Sequence, residues 1–88
     1  MKIYNMQSDN GNPVPSQFVC EHKGVTVFKP YDTVIAEKEN GTTTLDPKWN
    51  CSNTTTKYLC RFLGEGLKKK DIEKGIATGA YKVKNLNN

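Results

Sequence analysis

The sequence predicts a small α+β protein, with an antiparallel β-meander of about four strands followed by two short helices and a short C-terminal strand. Its 88 residues fit one domain with a small core, so a large enclosed active site is not expected. In the first half, short runs of β-branched and aromatic residues alternate with turn formers, as they do in a meander. From Thr54 onward the apolar spacing changes to the period of an α-helix.

Residues 1–16 are rich in residues that break regular structure. They include Gly11, Pro13 and Pro15. Because two prolines and a glycine disfavour regular backbone structure, we predict no regular element there and interpret residues 1–16 as an extended N-terminal arm. Residues 17–88 then form the single α+β domain.

Four strands are predicted in the first half of the domain, each bounded by turn formers. They cover residues 17–21, 25–29, 33–37 and 42–45. Pro30 lacks the N–H that a central ladder needs, so the second strand ends there or lies at a sheet edge. Asn40-Gly41 fits a type I′ turn between the third and fourth strands, because this turn needs positive φ at both central residues. The side chains expected to pack beside this hairpin are Val34, Ala36 and Leu45.

Two helices are predicted in the second half. The apolar face of the first helix consists of Tyr58, Leu59, Phe62 and Leu63. Ser52, Asn53 and Thr54 offer N-cap oxygens, and Gly64 fits a C-terminal cap. The second helix runs from about Lys68 to Thr78, and Gly75 inside it costs about 1 kcal/mol relative to alanine. Residues 81–84 alternate again and predict the short closing strand.

The positive charge of the chain is concentrated in the predicted helical half. Residues 1–54 hold five basic and six acidic residues, whereas residues 55–88 hold eight basic and three acidic residues. Clustered cations bind phosphate polymers, so nucleic-acid binding is one hypothesis. The candidate polyanion contacts are Lys57, Arg61, Lys68, Lys69, Lys70, Lys74, Lys82 and Lys84.

The alternative interpretation of these cations is a solvated helix face, and three features favour it. Only Arg61 could make a bidentate contact, because lysine acts as a point charge. Asp71 and Glu73 follow the three consecutive lysines and offset part of their charge. Aromatic residues do not interleave with the lysines, as stacking on a single strand requires.

A metal site and an enzyme active site are both disfavoured by the spacing of the reactive residues. Cys20 and His22 would share one face of a strand, and Cys51 and Cys60 would complete a zinc ligand set. Structural zinc sites, however, place ligands in pairs two to four residues apart, whereas Cys51 and Cys60 are nine apart. No catalytic triad or phosphate-loop motif occurs either. We therefore predict no metal, no cofactor and no catalytic residue.

The compartment is predicted from the termini and the cysteines. The N-terminus lacks the apolar run of a secretory signal, and no segment is apolar enough to cross a membrane. Three cysteines without a Cys-x-x-Cys pair do not fit a disulfide scaffold. We expect a reduced, cytoplasmic protein.

Two aromatic residues, Tyr31 and Trp49, flank prolines in the predicted connections. Exposed tyrosine and tryptophan side chains dominate many protein-binding surfaces, which makes this pair a candidate protein contact. The alternative is that the two rings cover the edge of the small core, and the small size of the core favours this second role.

A series of short segments occurs in a distinctive order along the chain. The segments are 12–19 (NPVPSQFV), 28–36 (FKPYDTVIA), 45–46 (LD), 52–58 (SNTTTKY), 62–64 (FLG) and 76–81 (IATGAY). This order resembles a family of small uncharacterised proteins carried mainly by phages and prophages of Gram-positive bacteria. The chain departs from the family pattern at Pro30, where the family has serine, and at Cys51, where it has an aromatic residue.

The resemblance implies a small phage accessory protein that acts by binding a host macromolecule, and inhibition of a host defence system is one such role. With no catalytic motif in the sequence, we expect a non-enzymatic accessory protein that binds a host or phage macromolecule, with a protein favoured. The alternative is a nucleic-acid-binding protein that uses the basic C-terminal half.

Overall fold

The computed structural model describes residues 2–8, 10–64 and 66–87, and it contains a six-stranded sheet and two helices. The elements in chain order are β1 (Lys2–Gln7), β2 (Pro13–His22), β3 (Val25–Pro30), β4 (Ala36–Glu39), β5 (Thr42–Leu45), α1 (Asn53–Leu63), α2 (Lys69–Thr78) and β6 (Tyr81–Val83). The first five strands form an antiparallel meander, and β6 pairs with β5 in parallel. The predicted α+β class, with a meander, two helices and a closing strand, is confirmed.

The expectation that residues 1–16 contain no regular element is wrong. Residues 2–7 form the edge strand β1, and β2 begins at Pro13. Two prolines are tolerated because β2 pairs only with β1 in this region, and its pairing with β3 starts at Gln17. Gly11 adopts a φ of 79° in the turn between the strands. Residues 1 and 9 of the predicted arm lie outside the described residues.

The predicted third strand starts too early. Strand β4 begins at Ala36, and residues 31–35 form a loop that starts at Tyr31 with a φ of 56°. Val34 is half-buried in this loop, while the neighbouring Ile35 is fully buried. The backbone N–H and C=O of Val34 bond the side chain of Asn87 rather than another strand, which explains the shift.

The tight turn between β4 and β5 is confirmed. Asn40 and Gly41 have φ values of 52° and 79°, as a type I′ turn requires. On either side of the turn, Ala36 and Leu45 pair with each other and are fully buried. The turn therefore sets the register that brings these two residues into the core.

The helix ends follow ordinary capping chemistry. The hydroxyl of Ser52 accepts a hydrogen bond of 3.1 Å from the N–H of Thr55 at the start of α1. At the start of α2, the N–H of Lys68 donates to the carboxylate of Asp71 at 2.8 Å. Helix α2 ends at Gly79, which has a left-handed φ of 85°.

Both helices pack on one face of the sheet. On that face, one cross-strand row consists of Val19, Phe28, Ala36 and Leu45, all buried. These side chains form the core together with Trp49 and the inward faces of the helices, which include Leu59 and Ile72. Helix α1 contacts β3, and α2 contacts β6.

Candidate functional site

The opposite face of the sheet carries no helix in the described part of the chain. Side chains alternate between the two faces of a strand, so the neighbours of the buried row point away from the helices. We call this surface the helix-free face. Its residues include Ile3, Phe18, Cys20, His22, Val25, Val27, Lys29, Glu37, Glu39, Thr42, Thr44 and Lys82.

On strands β1 to β3 the centre of the helix-free face is apolar, with His22 and Lys29 at its ends, and we call this centre the apolar half. Ile3 is 59% exposed, and Phe18, Cys20, Val25 and Val27 are half-buried. Ile3 pairs with Cys20, and Cys20 pairs with Val27, so these side chains adjoin one another across three strands. None of them packs against the core. A contiguous apolar group of this kind is typical of a binding surface, unlike single exposed hydrophobic residues.

The other half of the helix-free face is polar. Glu37, Glu39, Thr42 and Thr44 line a shallow trough of about 790 Å³ beside β6. Two predicted polyanion contacts, Lys82 and Lys84, line the same trough. They lie beside carboxylates and apart from the helical lysines.

A second surface is the groove between α1 and the start of α2, which we call the basic groove. Its volume is about 430 Å³, and the thiol-bearing Cys60 is among its lining residues. Its basic residues are Lys57, Arg61, Lys68 and Lys69. Half of the predicted polyanion contacts therefore come together in one place. The two remaining helical candidates, Lys70 and Lys74, are exposed on α2 outside this groove.

Two cations of the basic groove also contact an aromatic ring of α1. The guanidinium of Arg61 lies 5.2 Å from the centroid of Tyr58, and the ammonium of Lys57 lies 5.6 Å from it. Arg61 also donates a hydrogen bond of 3.1 Å to the carbonyl of Gln7 in β1. Arg61 therefore links the edge strand to α1 as well as contributing charge.

A third surface lies on the helix side of the sheet, between β1 and the C-terminal end of α1. We call it the Tyr4–Phe62 groove, and its volume is about 520 Å³. Lys38 of β4 points into it and donates a hydrogen bond of 2.6 Å to the carbonyl of Phe62. Its ammonium also lies 4.7 Å from the centroid of the Phe62 ring. Burial lowers the pKa of Lys38, because the charged form is partly removed from water.

Lys38 was not singled out by the sequence analysis, although one signal could have found it. The type I′ turn fixes the hairpin register, and side chains two residues apart in a strand share a face. Lys38 follows the buried Ala36 by two residues, so it points to the helix side. A lysine at such a position needs a specific acceptor, which the end of α1 supplies.

A fourth feature is the buried carboxylate of Asp46, which holds the C-terminal tail. Its oxygens accept hydrogen bonds from the N–H of Leu86 at 2.9 Å and from the N–H of Lys48 at 2.9 Å. The side-chain amide of Asn87 donates to it at 3.1 Å. Burial opposes the charge, but these donors and the nearby charge of Lys48 outweigh it and lower the pKa of Asp46. With every oxygen engaged, this carboxylate acts as a structural anchor.

The four residues considered as zinc ligands do not come together. Cys20 and His22 lie on β2, Cys51 is exposed before α1, and Cys60 is buried within α1. Among residues 2–8, 10–64 and 66–87 there is no group of three side chains able to hold a metal ion. Burial, and then the charge of Asp71, raise the pKa of the Cys60 thiol, which disfavours the reactive thiolate.

Tyr31 and Trp49 do not form a joint exposed surface. Trp49 is 7% exposed and belongs to the core cluster, where its ring covers the core as in the alternative interpretation. Tyr31 is 63% exposed in the loop between β3 and β4. Of the two candidate protein contacts, only Tyr31 is therefore accessible.

One of three comparisons with known proteins gave a match, which covers strands β1 to β5 and both helices but ends before β6. A family model described as a family of unknown function (DUF8033) matches residues 1–79. The comparison with curated proteins gave no match, and the comparison with solved structures gave none either. In the part of the chain that the structure describes, neither helix has the length and apolar character to cross a membrane.

Proposed function

We propose that this protein, which belongs to the family of unknown function DUF8033, is a non-enzymatic accessory protein that binds a host or phage macromolecule, foremost a protein. The proposal includes a phage or prophage origin, action in the host cytoplasm and inhibition of a host defence system as the purpose of binding. The observation that carries it is the apolar half of the helix-free face.

This apolar surface is large enough to contribute to a specific contact. Three strands spaced about 4.8 Å apart, each apolar on this face over roughly 13 Å, present roughly 190 Å². Covering that area contributes about 5 kcal/mol before the entropy of association is subtracted. Ile3 and Phe18 supply the largest side chains of the surface.

Charged side chains at the border of the apolar half would set the orientation of a partner. Lys29 pairs with Phe18 at one side, and Glu37 pairs with Val27 at the other. Border charges of opposite sign steer association and reject wrong partners more than they add affinity. The arrangement fits a partner with an apolar centre and a mixed charged rim.

The test uses the tagged full chain and bacterial lysate, with nuclease treatment of the captured material. We expect a protein to remain bound after nuclease treatment, and to be lost with the variant Val27→Lys. This lysine would face Glu37 across the strands, so the variant replaces apolar surface with a favourable charge pair and keeps the fold. The matched control is Ala77→Lys on the exposed side of α2. Loss of every captured protein after nuclease, or equal capture by Val27→Lys, would contradict the proposal.

The second candidate function is polyanion binding through the basic groove. The specific observation is that Lys57, Lys68 and Lys69 line one groove with Arg61. Lysines at this density release counterions when they contact a phosphate backbone. The affinity for a polyanion should depend strongly on salt concentration, which distinguishes this candidate from the first proposal.

The second candidate is tested by fluorescence anisotropy with labelled duplex and single-stranded DNA at low salt. The variant with Lys57, Lys68 and Lys69 changed to glutamine should weaken binding and reduce the slope of log affinity against log salt by about two to three. In the matched control variant, Lys82 and Lys84, which lie outside the groove, are changed to glutamine. This variant should retain most of the affinity for DNA. Absence of binding at low salt, or equal weakening by both variants, would reject the polyanion function.

A further inference from the structure

The Tyr4–Phe62 groove combines apolar walls with a half-buried cation. Tyr4 is 41% exposed, while Met6 and Phe62 are half-buried and pack against the core. The ring of Phe62 is stacked on Phe28 with their centroids 5.5 Å apart, which fixes one wall of the groove. The other wall is strand β1, which lies at the edge of the sheet formed by the described residues, so the groove opens beside that edge.

Lys38 supplies the cation, and no acidic side chain among the described residues pairs with its charge. Its ammonium has three N–H donors. One of them donates a hydrogen bond to the neutral carbonyl of Phe62. No carboxylate of the described residues forms an ion pair with Lys38. The nearest acidic side chain on the same sheet face is Glu21, which is separated from Lys38 by Thr26 and interacts with the hydroxyl of Tyr4.

A partly desolvated cation without a counter-ion is stabilised when a ligand brings one. Removing a charge from water costs free energy, which is why burial lowers the pKa of Lys38. A carboxylate that reaches the ammonium would form a charge-assisted hydrogen bond in a site of reduced dielectric. The guanidinium-bearing side chain of Arg61 also lines the groove.

We propose that the Tyr4–Phe62 groove binds an acidic peptide segment, in which a carboxylate pairs with Lys38 and an adjacent aromatic side chain packs between Tyr4 and Phe62. The inference rests on the proposed function in that the partner is a protein, but it uses the side of the sheet opposite the helix-free face. An extended segment in the groove also lies beside β1, whose outer edge is unpaired among the described strands.

The chemistry of the groove favours a peptide over a nucleic acid. A phosphate backbone needs a track of cations, and such a track is present in the basic groove rather than here. The Tyr4–Phe62 groove has one half-buried ammonium between apolar walls, which suits a ligand that has a single carboxylate next to an apolar group.

The experiment titrates the isotope-labelled full chain with two dipeptides and follows amide resonances. The probes are acetyl-aspartyl-phenylalaninamide and acetyl-asparaginyl-phenylalaninamide, which have nearly the same shape and differ by one charge. We expect the aspartyl probe to bind with a dissociation constant in the millimolar range, at least about fivefold tighter than the asparaginyl probe. The largest shifts should occur at Tyr4, Met6 and Phe62.

Three variants separate recognition from a structural role of Lys38. Lys38→Gln keeps a donor for the Phe62 carbonyl but removes the charge, so the affinity ratio of the two probes should fall to about one. Tyr4→Ala removes an apolar wall at an exposed position and should weaken both probes by similar factors. Lys70→Gln removes an exposed cation outside the groove and should change neither affinity.

Several outcomes would overturn the inference. They are equal affinity of the two probes for the unchanged protein, no binding of either probe, and shifts confined to the basic groove. Shifts of Tyr4 and Phe62 caused by single-stranded DNA but not by the aspartyl probe would assign the groove to nucleic acid instead. A negative result leaves the proposed function intact if Val27→Lys still abolishes capture of a protein partner, because that variant tests the other face.

Discussion

The ring of Tyr81 lies directly against the backbone of Gly75. A β-carbon built at residue 75 would be 2.6 Å from both Cδ2 and Cε2 of the ring. Gly75 lies in the middle of α2, and Tyr81 is the first residue of β6, so the contact seats the helix on the strand that follows it. The glycine that weakens the helix by about 1 kcal/mol is thus what allows the two elements to approach.

Gly75→Ala should therefore lower the stability of the protein although alanine is the better helix former. We expect a net loss on the order of 1–2 kcal/mol, because the overpacking penalty exceeds the gain in helix propensity. The measurement is urea unfolding followed by circular dichroism. In a Tyr81→Leu background the same change should be neutral or stabilising, since the ring is gone. A more stable Gly75→Ala single variant would show that Tyr81 moves away at little cost.

Gly75 also shows where sequence reasoning ends. The sequence shows the glycine, and the free energy that it costs the helix can be stated from the sequence. The reason for a glycine at this position, however, is a contact with the ring of a residue six positions later, in another element. The 39–42 hairpin was predictable because its turn depends on the two residues within it. Strand β1 was not predictable, because its formation depends on pairing with residues 13–21 rather than on its own pattern.

The same limit applies to the candidate surfaces. Alternation along the strands could have separated Val27 from Phe28, but the sequence does not show which face the helices cover. The excess of positive charge in the second half of the chain was predicted. The structure divides these cations between the basic groove and the trough at Lys82, because β6 pairs in parallel with β5 and so carries Lys82 away from the helices. The anchor of Val34 to Asn87 spans 53 residues and left no local signal.

The Asp46 carboxylate should make stability depend on pH in the acidic range. Burial alone would raise its pKa, but the N–H donors of Leu86 and Lys48 and the Asn87 amide lower it below the ordinary value of 3.8. A depressed folded-state pKa stabilises the protein above the unfolded-state value, and that contribution is lost as pH falls through the folded-state pKa. Unfolding free energies should thus begin to fall as the pH drops below about 5 and should continue to fall below 3.8, the ordinary value.

Asp46→Asn is the matched variant for this pH dependence. It should be less stable than the unchanged protein at pH 6, since an amide cannot accept from all three donors. Its stability should change less between pH 6 and pH 3, because the titrating group is gone. An identical pH profile for both proteins would assign the acid sensitivity to other carboxylates.

The side chain of Asn87 should hold the C-terminal tail in place. Its amide accepts from the N–H of Val34 at 2.7 Å and donates to the carbonyl of Val34 at 2.9 Å, much as a neighbouring strand would. Asn87→Ala should lower stability by about 1 kcal/mol and speed hydrogen exchange at Val34 and Leu86. The exposed Lys84 offers a control, and Lys84→Ala should leave both exchange rates unchanged. Unchanged exchange in Asn87→Ala would show that Asp46 alone holds the tail.

Gly41 should be critical for folding, whereas the lysines at the start of α2 should not. Gly41 has a φ of 79° in the hairpin turn, so Gly41→Val forces a β-branched side chain into a disfavoured conformation at a cost of about 1–3 kcal/mol. Changing Lys68, Lys69 and Lys70 together to glutamine should shift the melting temperature by only a few degrees, because exposed charges contribute little to stability. Thermal unfolding of both variants provides the comparison. If the lysine variant unfolds while Gly41→Val keeps full stability, the roles assigned to the turn and to the helix start are both wrong.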